Sequence, residues 1–134
     1  MTEEELVIPT RDEILDRLNT LPNLIKKKEF DVLGYSSNVS MYSEDMKAIE
    51  ITTKAEVANE KEDGKNKYSN EVLRQEAVNI KLSKNQNYKN AKVSWEHNKL
   101  QLQKGEINLR NLQNRFSAAK AIARLIGGQE WVQL

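Results

Sequence analysis

The chain lacks cysteine altogether and has one histidine, two prolines and five glycines in 134 residues. Without cysteine there is no disulfide framework and no thiolate zinc site, and a reducing cytoplasm is the expected compartment. The lone His97 has no second metal-ligating group at helical spacing, so it reads as a surface residue and no metal or other cofactor is expected. Scarce proline and glycine, beside 38% hydrophobic and 31% charged residues, suit long solvated helices better than a compact α/β core. No run approaches the roughly 20 apolar residues that span a bilayer. Met1 to Glu5 is acidic and without the basic, then apolar, order of a signal peptide, so the expectation is a soluble cytoplasmic protein with no membrane association.

What the chain has is periodicity. Ile25, Lys28, Val32, Tyr35, Val39, Tyr42, Met46, Ile49 and Thr53 step by threes and fours through the first half. Tyr88, Ala91, Trp95, Asn98, Leu102, Gly105, Leu109, Leu112, Phe116, Ala119, Ala123 and Ile126 do the same through the second. Such steps hold side chains on one seam of an α-helix. Two seams joined by one polar turn predict an all-α fold, a single domain built as a long antiparallel coiled-coil hairpin.

Local signals place the boundaries. Residues 1–9 are expected to be flexible. Thr10-Arg11-Asp12-Glu13 is a capping box that starts a short helix over residues 11–19. Pro22 disfavours helical geometry at Leu21 and fits the first turn of a new helix capped by Thr20, which predicts a break and a second helix over 21–62. The seam keeps phase through the poor helix formers Gly34 to Ser40, so pattern overrides propensity there, although a bend would fit. Residues 63–68 are read as the turn, Ser69 as the cap of a helix over 69–126, and 127–134 as a tail after a glycine stop. Tyr68 is placed to staple onto Leu73. A turn centred near residues 65 and 66 pairs Tyr42 with Tyr88, Val39 with Ala91, Tyr35 with Trp95 and Ile25 with Gly105. Leu21, Leu18, Leu15 and Ile14 then cover the far end of the last helix, Leu109 to Ile126, with Leu6 to Ile8 beside them. The early spacing Ala77, Ile80, Lys84, Tyr88 contains two steps of four, a stutter that locally unwinds a supercoil.

Polar and small residues in the seams carry further meaning. Lys28 and Asn98 interrupt them, as residues that fix register do, and Ala91 and Gly105 permit close backbone approach. Charge is divided: residues 1–63 carry 15 acidic and 8 basic side chains, residues 69–126 carry 11 basic and 4 acidic. One explanation is an acidic helix paired with a basic one. The other is a nucleic-acid track on the basic helix, including Lys92, Lys99 and Arg110, accessory to strand annealing. Val93, Leu100 and Ile107 recur every seven residues opposite the main seam, so either the N-terminal helix folds across them or another chain does. With Trp131, an aromatic anchor in the tail, they are the candidate residues for contact with a protein partner or a second copy. No nucleophile, base and orienting group share a recognisable spacing, and no glycine loop cradles phosphate, so neither enzymatic activity nor a small-molecule substrate is expected.

Gly64-Lys65-Asn66-Lys67-Tyr68-Ser69-Asn70-Glu71, followed by Arg74, Leu82 and Tyr88, resembles a pattern in short helical proteins from the early region of temperate phages of Gram-positive bacteria. The resemblance covers about residues 60–90 and is joined by an AT-rich codon signature of 14 Asn and 15 Lys. It implies a non-enzymatic accessory protein in the host cytoplasm that binds a protein of DNA recombination, replication or host defence, including inhibition of a host enzyme. In architecture the chain is similar to phage nuclease inhibitors built on long helical hairpins. A passive coiled-coil scaffold is the remaining alternative.

Overall fold

In the computed structural model, residues 9–127 are described. They form α1 (Arg11–Asn59), β1 (Lys61–Glu62), β2 (Lys65–Asn66), α2 (Glu71–Lys84) and α3 (Gln86–Gly127). The chain is nearly all helical, and α1 packs against α3. Residues 1–8 and 128–134, which include the expected flexible start, Leu6 to Ile8 and Trp131, lie outside the described residues.

The capping signal at Thr10 holds: its hydroxyl accepts the Glu13 N–H at 3.2 Å, and α1 begins one residue later. The expected break at Pro22 does not occur, so residues 11–19 and 21–62 are not separate helices. Proline removes one backbone donor, but Leu21 beside it is only 2% exposed, and its burial offsets the loss. Thr20 is no cap either; its hydroxyl donates to the Asp16 carbonyl one turn back, at 2.9 Å. Gly34 to Ser40 is helical throughout.

Two packed units divide the chain. The first joins the chain up to Val32 to that from Lys104 onward. Its core is Ile14 against Ala119, flanked by Leu15, Leu18, Ile122, Ala123 and Ile126, as the sequence led one to expect for the far end of the last helix. Here Gly105 faces Val32: a Cβ on Gly105 would stand 3.1 Å from Val32 Cγ2.

The second unit is Leu33–Gln103. Val57 of α1 packs with Ala77, Val78 and Leu82 of α2, and Ile49, Tyr68 and Tyr88 close round them. Between the helices the chain makes a two-residue hairpin, with Lys61 opposite Asn66 and Glu62 opposite Lys65. Asp63 and Gly64 both take positive φ, 53° and 78°, which is the type I′ geometry that Asp-Gly favours. Asn70, rather than Ser69, caps α2 by accepting the Leu73 N–H at 2.9 Å. The helix expected over 69–126 is interrupted at Asn85, which is extended. Leu82 and Ala91 are both buried although nine residues, two and a half turns, would set them on opposite faces of one helix. Ile80 and Lys84 are exposed, so they belong to no seam, and the expected stutter gives way to a full break.

Every residue of both expected ladders is buried or half-buried, and their immediate neighbours are mostly exposed. The pairing between the ladders is displaced. Gly105 meets Val32, not Ile25, and the Tyr88 hydroxyl meets Glu50, beside Ile49, not Tyr42. Asn98 meets Asn38. Within each unit the partners still run antiparallel, but about one heptad later along α1. The offset arises at the turn. The Lys67 N–H is bonded to the Glu60 carbonyl, and Val57 clusters with Ala77, so ten residues on the returning side match three on α1.

Candidate interaction surfaces

In α3 the row Ala91, Asn98 and Gly105 is buried. Two residues further along, about 200° round the helix, are Val93, Leu100 and Ile107. In the second unit Val93 and Leu100 are 66% and 48% exposed, and in the first Ile107 is 55% exposed. The start of α1 does not cover them: Ile14, Leu15 and Leu18 are spent on the Ala119 cluster. An aliphatic side chain left in water forgoes on the order of 1 to 3 kcal/mol of burial, so Val93 and Leu100, one heptad apart on the second unit, form a surface with binding energy in reserve.

A second row escaped the sequence reading. Leu33, Met41 and Ile51 of α1 are exposed on the side away from that helix's buried row. Ser37 and Glu44, at helical spacing within the same face, disguise it. The signal was a weak three-and-four spacing from Leu33 to Ile51, masked because hydrophobicity alone does not separate such a row from scattered surface residues.

The basic residues are dispersed. Lys92, Lys99 and Arg110 are exposed. The Lys99 ammonium sits 4.6 Å from the centroid of the Trp95 ring, and that of Lys120 sits 4.7 Å from Phe116, both as internal cation–π contacts. Each aromatic thus already has a basic partner on its own helix.

Among the described residues three titrating groups are perturbed, all in the second unit. A hydrogen bond from Lys81 holds the Glu60 carboxyl below its usual range, and the same bond raises the Lys81 ammonium. Lys67 approaches the other Glu60 oxygen at 3.8 Å. This trio, with Glu60 and Lys81 half-buried and Lys67 exposed, ties the hairpin to α2. Burial, then the 3.1 Å hydrogen bond to Glu50, raises the Tyr88 phenol above its ordinary value.

Concave features are shallow and lined by helix faces. A groove of about 500 Å³ in the first unit runs over Pro22, Ile25 and Phe116. One of about 340 Å³ in the second unit runs over Tyr68, Leu73 and Ile80, with Lys81 and Lys84 at its edge, so Tyr68 and Leu73 do share a surface. Among the described residues, no three His, Cys, Asp or Glu side chains are grouped to hold a metal ion, and no helix is long and apolar enough to cross a membrane. No protein-family model matches the chain, and no curated protein or solved structure matches it.

Proposed function

We propose that this chain is a non-enzymatic binding protein: a coiled-coil hairpin whose α3 presents Val93 and Leu100 in the second unit, and Ile107 in the first, as exposed apolar contacts for a protein partner. The observation that carries the reading is the contrast on α3 between the buried Ala91, Asn98 and Gly105 and the exposed residues two positions later. The three-and-four stepping of burial along α1 and α3 supports the coiled-coil description. The resemblance around residues 60–90 supplies the class of partner: a protein of DNA recombination, replication or host defence, with the chain as accessory or inhibitor.

A partner helix docking on this row gains hydrophobic energy while the paired charges of the hairpin stay in water. Light scattering on the pure protein, together with capture of partners from a host extract, tests it. Leu100→Glu, at an exposed position, leaves the fold intact and removes bound protein. Retention of every bound protein by that variant, with no change in the mass of the pure protein, overturns the reading.

A further inference from the structure

The second unit carries two uncovered apolar rows, not one. Val93 and Leu100 stand on α3 away from its buried row, and Leu33, Met41 and Ile51 stand on α1 away from its own, with Leu33 and Ile51 62% and 68% exposed. Each row lies on the side of its helix opposite to the buried one, so one partner helix cannot cover both. Their electrostatic settings are opposite. The α1 stretch 33–59 holds four acidic and two basic side chains, with Glu44 inside the apolar row between Met41 and Ile51. The α3 stretch 86–103 holds three basic side chains and one acidic.

We infer that the occupant of these rows is a second copy of this chain, with the α1 row of one copy seated on the α3 row of the next. The inference rests on the reading of α3 as a contact surface and names what fills it. A twofold contact of α3 on α3 would set the net basic stretch 86–103 against itself, and one of α1 on α1 would set the net acidic stretch 33–59 against itself. Only the unlike pairing sets acid against base while burying both rows. An unlike pairing leaves one free face at each end of any open assembly, so association continues beyond a dimer unless it closes into a ring.

The test uses two single-face variants of the full chain, Leu33→Glu/Ile51→Glu for α1 and Leu100→Glu for α3. Circular dichroism checks that each retains the helix content of the native protein. By sedimentation over about 1 to 300 μM, the native protein should gain mass with concentration while each variant stays monomeric. Mixed together, the two variants should form a one-to-one complex, because each retains the face the other lost. That complementation distinguishes the unlike pairing from any twofold one.

A native protein that stays monomeric over this range overturns the inference. So does an equimolar mixture that stays monomeric, or an α1 variant that assembles like the native chain. Should any of these occur while Leu100→Glu still abolishes capture of a host protein, the contact surface on α3 stands and only the second copy is removed. Should the variants complement each other while capture is unaffected, the surface serves self-assembly alone.

Discussion

Asn98 is 9% exposed in a row otherwise made of apolar or small side chains, and its amide shows what that position contributes. Its oxygen accepts from the Asn38 amide at 3.1 Å, and its nitrogen donates to the Ser94 carbonyl of its own helix at 2.8 Å. Replacing it by leucine removes one net cross-helix hydrogen bond, worth about 1 kcal/mol. Asn38 is exposed, so its amide returns to water without a desolvation cost. The leucine gains about 2 kcal/mol from apolar burial and a few tenths from helix propensity. Asn98→Leu should therefore stabilise the fold by about 1 to 2 kcal/mol, a rise in Tm of roughly 3 to 6 °C. Asn38→Ala strands the buried Asn98 oxygen and should destabilise by about 1 to 3 kcal/mol. The double variant should match Asn98→Leu alone. Thermal and urea unfolding followed by circular dichroism at 222 nm, on all four proteins, gives the order. A loss of more than about 1 kcal/mol in Asn98→Leu would refute the reasoning, because the amide pair would then be a net source of stability and not a device of register.

Three further outcomes follow from single contacts. Gly105→Ala gains up to about 1 kcal/mol of helix propensity but crowds Val32 Cγ2 at 3.1 Å, so it should be near neutral alone and stabilising in a Val32→Ala background; a denaturant double-mutant cycle reads the coupling. The Tyr88 phenol is raised in the folded state, so the folded chain holds that proton more tightly than the unfolded one, and stability is lost as the pH rises from the ordinary value of 10.0 through the raised one; Tyr88→Phe should remove that alkaline loss, as followed by urea unfolding between pH 8 and 11. If the basic helix binds nucleic acid, a gel shift at low salt should weaken when Lys92, Lys99 and Arg110 are changed together to glutamine and should fade steeply with added salt, whereas no shift at low salt removes that reading.

The seams were legible because burial along a long helix follows a period that composition cannot imitate: all the residues from Ile25 to Thr53 and from Tyr88 to Ile126 expected on them are buried or half-buried. Their mutual register was not legible. A seven-residue repeat matches itself after a seven-residue slip, so Gly105 fits opposite Val32 as well as opposite Ile25 on pattern alone. What decides is the loop, where Asp63-Gly64 makes a tight hairpin and Lys67 to Asn70 cross into α2 without advancing along α1. The Asp-Gly pair was the available signal for that hairpin. Pro22 misled for another reason: its local preference was outweighed by burial of Leu21, a tertiary effect that no window of sequence contains. On the surface, Val93, Leu100 and Ile107 stood out because they recur at equal intervals of seven, while Leu33, Met41 and Ile51 are unequally spaced and share their face with Ser37 and Glu44.

Asn85 carries the one interruption between α2 and α3, and its side chain makes that interruption stable. Its backbone N–H closes α2 on the Leu82 carbonyl at 3.1 Å, and its side-chain oxygen opens α3 by accepting the Tyr88 N–H at 3.0 Å. The break turns α3 relative to α2 so that Leu82 and Ala91, on opposite faces of an unbroken helix, are both buried. Asn85→Ala faces two opposing effects. It removes the cap, at a cost of about 0.5 to 2 kcal/mol, and it favours a continuous helix, which would carry Leu82 out into water, at about 1.5 to 3 kcal/mol more. Both lead to a less stable protein. Asn85→Ser or Asn85→Asp keeps a capping oxygen and should restore most of the loss. Urea unfolding of the three variants separates the cases: a stabilised Asn85→Ala would mean that the helices gain by merging and that the break is not what buries Leu82. A loss that serine and aspartate both fail to recover would mean that the cap is not its cause.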